Sequence, residues 1–185
     1  YWRSFQKIIR ETHPDFNPEG LDEYLQKQDR QNNDRAFAII RDIEKFFNKD
    51  FKNRLEEKYG KMWFKKGVPP QIGDEAVALA TKKNRDIENE EDEVEPWDCV
   101  NIIAYRAIAV KNWSDVFEKS YTRPGEEKIS GGKEEKTKWM VKLEFLRNQN
   151  VHSYFVTEDE LRYLEELNDW LIKEEVRNKY QLENA

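Results

Sequence analysis

Residues 34–59 carry apolar side chains at helical spacing, with no glycine or proline to interrupt them. Phe37, Ile40, Glu44, Phe47, Phe51 and Leu55 recur at i, i+3 and i+4, and Ile39, Ile43 and Phe46 widen the stripe. A stripe that wide predicts a long helix packed on more than one neighbour. Gly60 is its expected stop, because glycine tolerates the backbone that ends helices. Only seven Gly and six Pro punctuate the 185 residues. The segments between them keep helical spacing, and strand-like alternation is nearly absent. The expected fold class is all-α, an antiparallel helical bundle with a short N-terminal helical extension.

The remaining elements follow from local signals. Residues 2–11 predict a short helix ending at His13-Pro14, since the residue before proline avoids helical backbone. A loop over 15–20 and a short helix over 21–29 follow, and the polar run 31–34 reads as the cap of the long helix. Residues 1–33 are thus expected to form an extension or linker, and 34–185 the bundle. Trp63, Phe64 and a turn over 67–70 should fold back onto the helices. Asp74 reads as the cap of a helix over about 75–87, and Pro96 as the first turn of a helix over about 96–110. A short helix holds Trp113, Val116 and Phe117. Pro124, Gly125, Gly131 and Gly132 mark 122–135 as a loop. A helix over about 136–150 carries Trp139, Leu143 and Leu146 on one face. The last helix opens at Thr157, where Thr157 and Glu160 match a capping box.

Composition narrows the function classes. Charged residues make up 38% of the chain, yet 13% is aromatic, which separates it from disordered sequences. The formal net charge of −6 argues against coating nucleic acid by bulk charge. No apolar run approaches a membrane span, so no membrane partner is expected. A single cysteine, Cys99, excludes an internal disulfide and points to a reducing, cytoplasmic setting. Cys99 itself lies on an apolar helix and reads as packed. His13 and His152 are the only histidines, and no phosphate-cradling glycine loop is present. Neither a metal nor a cofactor is expected. The acidic run 88–95 reads as a solvated helix end or loop. The chain opens on Tyr1 rather than Met, so further domains N-terminal to it are expected.

One constellation carries chemistry: Leu146-Arg147-Asn148-Gln149-Asn150-Val151-His152, at the junction of two apolar-faced helices. Arg holds a phosphate through parallel hydrogen bonds and keeps its charge. His moves protons near neutral pH, and an Asn amide orients either group. This is a minimal set for cleaving RNA without metal, because the 2′-hydroxyl supplies the nucleophile and DNA lacks it. If the helix continued, Asn148 and His152 would stack at i, i+4, with Arg147 about 140° from His152 at about 100° per residue. Two copies of this helix would put two sets of Arg, Asn and His in one groove, so a homodimer is expected. The competing reading pairs Arg147 with a carboxylate such as Glu144 and leaves His152 to cap or pack.

The segment L-R-N-x-x-x-H resembles the signature of the HEPN superfamily (higher-eukaryote and prokaryote nucleotide-binding domains). In that signature Arg and a polar residue, often Asn, precede a His by a few positions. The run EEKYGKMWFKKGVPPQI after a long helix, a later Trp-led helix, and LRNQNVH before TEDEL resemble one HEPN subfamily. Its members sit at the C-terminal end of larger proteins, among them a nuclear RNA quality-control endonuclease. The resemblance spans residues 34–174. It implies an all-α bundle that dimerises through its motif helices, with metal-independent endoribonuclease activity in RNA-processing or defence proteins. Arg147 would then bind the scissile phosphate, Asn148 would orient it or the His, and His152 would be the acid–base group. An acidic residue from the long helix would join them, and Glu44 is the expected one, as it alone breaks the apolar stripe. Lys138 and Lys142, with Lys133 and Lys136, could lead RNA to the site or form a solvated face balanced by Glu134, Glu135 and Glu144. Lys61, Lys65 and Lys66 flank Trp63 and Phe64, an arrangement that could stack a base, though Trp63 reads rather as core. The alternative to an enzyme is a HEPN-like dimerisation or partner-binding module without catalysis. A nucleotide-binding domain is a third reading.

Overall fold

The computed structural model describes residues 12, 19–151 and 155–173. The helix expected over 2–11, together with His13 and His152, falls outside these residues. The long helix, α1 (Leu21–Tyr59), has 39 residues. Gly20, with φ of 80°, precedes it, and Asp22 and Glu23 in the first turn and Lys58 in the last complement its dipole. Gly60 ends it with φ of 56° and donates its backbone N–H to the Glu56 carbonyl. The run 31–34 therefore lies inside α1 and caps nothing. No helix breaker stands there, and tertiary contacts hold this half of the helix. Asn33 Oδ1 accepts from the Val156 backbone N–H at 2.8 Å, and Arg35 pairs with Glu165 at 2.5 Å.

Ala36, Ile40, Ile43, Phe47, Phe51 and Leu55 form the buried face of α1. Phe37, expected in that stripe, is 50% exposed, because the face is centred on Ala36 and Ile40 and leaves position 37 on its flank. α2 (Trp63–Gly67) folds back, and α3 (Pro70–Lys83) starts with proline at its first turn. Asp74 is thus interior to α3, whose N-cap is the extended Pro69. Asn84, the first residue of a short 3₁₀ turn, exchanges two hydrogen bonds with the Val94 backbone, at 3.0 and 2.9 Å. This clasps the largely exposed acidic segment between them. Cys99 is half-buried.

The helix expected over 96–110 is two elements. Pro96–Cys99 is a 3₁₀ turn, Val100 is extended, and α4 (Ile102–Lys111) starts anew. The break is local chemistry: the Asn101 side chain accepts from the Ala104 backbone N–H at 3.1 Å and caps α4. A π-helical turn (Trp113–Phe117) leads into α5 (Glu118–Tyr121), and a loop leads to α6 (Gly132–Lys136). α7 (Lys138–Val151) and α8 (Glu158–Asn168) follow, with a second π-helical turn over Asp169–Lys173. The capping box forms as expected. Thr157 Oγ1 accepts from the Glu160 N–H, and Glu160 Oε2 accepts from the Thr157 N–H at 2.8 Å.

α1 is the spine on which α2, α4, α7 and α8 pack. Its aromatics meet Tyr105 of α4, Tyr121 of α5 and Trp139 of α7, and Phe51 lies 4.3 Å from the Phe117 ring centroid. Trp63 packs edge-on to the buried Trp97 at 5.1 Å, so its ring is a core element. The described residues contain no strand, and none of their helices is long and apolar enough to cross a membrane.

Candidate functional site

α7 runs antiparallel to α1. Trp139, at the start of α7, meets the Phe47 ring, Arg147 meets Glu44, and Val156 beyond the helix meets Asn33. Trp139, Met140, Leu143 and Leu146 set this register by burying one face of α7. Arg147 stands on the flank nearest α1, and its Nε lies 3.7 Å from Glu44 Oε1. Its Nη1 donates to Asn148 Oδ1 at 3.4 Å. The fold therefore brings together Arg147, Asn148 and Glu44 from the motif and the long helix. The carboxylate beside Arg147 is Glu44, not Glu144. His152 lies outside the described residues; α7 continues to Val151, one position before it.

The Arg147 and Glu44 side chains are 41% and 34% exposed. A pair this open and this long contributes between nothing and about 1 kcal/mol to stability. It leaves the guanidinium fork accessible to a phosphate, which would bind it through charge-assisted hydrogen bonds. Glu44 is placed to orient that fork or to take a proton.

The four lysines ahead of the motif are engaged elsewhere. Lys138 pairs with Glu135 at 2.7 Å, Lys136 with Glu118 at 3.0 Å, and Lys133 donates to the Val110 carbonyl at 3.2 Å. Lys142 Nζ sits 3.7 Å from the centroid of Tyr163, whose phenol is pushed above its usual pKa by burial. Lys138 and Lys142 line a groove with Arg123, Glu126 and Tyr163 on the α8 side of α7. They are not brought together with Arg147, which faces α1. The helical angle between positions 142 and 147, about 140°, is the reason.

Sequence reasoning passed over a buried polar cluster. Asp50 is almost fully buried on α1, and its Oδ2 accepts from Arg54 Nε at 2.6 Å and from the Tyr121 hydroxyl at 2.6 Å. Burial opposes the charge on Arg54, but the hydrogen bond and charge of Asp50 outweigh it and raise the guanidinium pKa. The available signal was Asp50, which breaks the apolar stripe as well as Glu44 does, with an Arg four residues on. Among the described residues, no group of three or more His, Cys, Asp or Glu is placed to hold a metal ion. On Val141 and Phe145 of α7 and Ile103 of α4, apolar side chains remain about half exposed. Comparison with known proteins yields no family model, no curated protein and no solved structure that matches this chain.

Proposed function

We propose that this chain is a HEPN-type, metal-independent endoribonuclease domain, acting as a homodimer within a cytoplasmic RNA-processing or defence protein. The observation that carries the reading is the convergence of Arg147, Asn148 and Glu44 at the end of α7, with the Arg147 fork partly exposed. In this mechanism Arg147 holds the scissile phosphate and stabilises the charge that builds on it during attack. Asn148 orients the phosphate or the imidazole. The 2′-hydroxyl loses its proton, to His152 or Glu44, and its oxygen bonds to phosphorus. The bond to the 5′-oxygen breaks, and that oxygen takes up a proton. The products are a 2′,3′-cyclic phosphate and a 5′-hydroxyl. The half-exposed Val141 and Phe145 share the outer face of the motif helix and suit pairing with a second copy.

A non-catalytic dimerisation module is the second reading, favoured by the carboxylate already beside Arg147. Single-turnover cleavage of labelled single-stranded RNA in EDTA separates the two, with Arg147→Ala and His152→Ala as controls. Cleavage to cyclic-phosphate ends, lost in both folded variants, supports the enzyme. A folded, dimeric wild type that cleaves none of a varied set of RNAs supports the module.

A further inference from the structure

Arg54 lies about 15 Å along α1 from Glu44 at the helical rise per residue, and a cavity of about 360 Å³ opens beside it. Phe46, Arg54, Lys119, Pro124, Glu127 and Trp170 are among its walls. A volume of this order suits a small molecule, and the lining is more polar than apolar, with Ser120 and Thr122 joining the charged groups beside the rings of Phe46 and Trp170. Phe46 comes from α1. Trp170 comes from the second π-helical turn and is held edge-on by Trp139 at 5.0 Å. The first π-helical turn leads directly into the segment that carries Lys119. The second π-helical turn supplies Trp170 and Leu171 to the walls, and π turns are rare and concentrate at functional sites.

The guanidinium is prepared for a ligand. Asp50 holds its Nε and is itself held by Tyr121. Among the described residues no hydrogen bond or ion pair takes the two terminal nitrogens of Arg54. A fork fixed from behind loses little side-chain freedom when a planar anion docks on it. Lys119 is exposed and adds a second positive charge. Glu127 adds a negative one, with its Oε1 accepting from the Gly125 backbone N–H at 3.1 Å. Arg54 and Lys119 are matched in charge by Glu127 and by Asp50 behind the fork. A site without net positive charge takes one negative charge on the fork more readily than the two of a phosphate ester.

We propose that this cavity binds a small aromatic carboxylate, its ring between Phe46 and Trp170 and its carboxylate on the Arg54 fork beside Lys119. The proposal is independent of the ribonuclease reading.

Calorimetric titration of the full chain with 2-naphthoate, 2-naphthalenemethanol and acetate tests it. Naphthoate should bind one per chain, at least about tenfold more tightly than the neutral alcohol or the ringless acetate. Arg54→Lys, which keeps the charge but loses the fork, should weaken naphthoate about tenfold, and Lys119→Gln about threefold. Lys119 is a surface residue, so its variant decides the matter if Arg54→Lys does not fold. Failure of naphthoate to bind at millimolar concentration overturns the proposal. So does equal affinity for the alcohol, or an affinity unchanged in folded variants.

Discussion

Tyr121 donates its hydroxyl to Asp50 Oδ2 over 2.6 Å, and the same oxygen accepts Arg54 Nε over 2.6 Å. One carboxylate oxygen thus ties α5 to the C-terminal half of α1, beside the buried rings of Phe47 and Phe51. Asp50→Ala would leave a one-third-exposed guanidinium and a buried hydroxyl without their acceptor. The expected cost is about 2–4 kcal/mol, because the hydroxyl is left unsatisfied while the guanidinium keeps part of its contact with water. Tyr121→Phe removes one bond to a charged acceptor and should cost about 1.5–3 kcal/mol. Urea unfolding of both single variants and the double variant should show a coupling of about 1–3 kcal/mol. Strictly additive losses would mean that the two side chains do not share the bond.

A second buried group joins three elements. Asn112 Nδ2 donates to the Gly67 and Ile108 carbonyls at 2.8 and 2.7 Å, while Asn112 Oδ1 accepts from the Tyr59 hydroxyl at 2.9 Å. Asn112→Leu should destabilise by about 2–4 kcal/mol, because the partners stay buried without it. Tyr59→Phe, which removes only one of these bonds, should cost about 1 kcal/mol. Chemical denaturation reads both, and equal losses would contradict the geometry.

Gly67 ends α2 against α1. A Cβ added there would lie 2.7 Å from Leu55 Cδ2, and Leu55 is fully buried. Gly67→Ala should cost about 1–3 kcal/mol through overpacking. Combined with Leu55→Val it should cost less than the sum of the two single changes, since the smaller side chain clears the contact. Thermal unfolding of the three variants checks the sign of that coupling.

At the motif, stability and activity should part company. Arg147→Ala and Glu44→Gln each remove one side of a partly exposed pair, so melting should shift by no more than about 1 kcal/mol in equivalent stability. On the proposed ribonuclease reading, RNA cleavage by Arg147→Ala should fall by about 10²–10³-fold, the range for losing one donor to a transition-state oxyanion. A parallel loss of fold and cleavage would assign Arg147 a structural role instead.

The Lys52–Glu95 pair gives a pH signature. Lys52 Nζ lies 3.0 Å from Glu95 Oε2, and that hydrogen bond raises the ammonium pKa above 10.5. The folded state holds the proton more tightly than the unfolded chain. The contribution is therefore complete below pH 10.5 and declines as pH rises through the folded-state value. From neutral pH upward, the stability gap between wild type and Lys52→Met, followed by urea unfolding, should narrow only on that alkaline side. A gap that narrows between pH 7 and 9 would point to another group.

Local chemistry made several features readable before any fold was known. The all-α class follows from apolar spacing and scarce breakers, the end of α1 from Gly60, and the start of α8 from Thr157 and Glu160. Each depends on residues within one or two turns of each other. The break at Asn101 was written locally too, but a proline and an apolar run outweighed it. Glu44 was legible as an exception in a stripe, because a carboxylate among apolar neighbours requires some partner.

The sequence by itself determined which segments coil and which faces are apolar, since helix formation and capping are settled over a few residues. Only tertiary structure decided which flank of α7 meets α1. That choice rests on burying Trp139, Leu143 and Leu146 together, and the register it imposes sets Arg147 beside Glu44 and turns Lys142 toward Tyr163. It also decided that Asp50, Arg54 and Tyr121 share one oxygen. A buried charge gains a partner only when distant segments close over it, and no pattern within a single helix specifies which segment that will be.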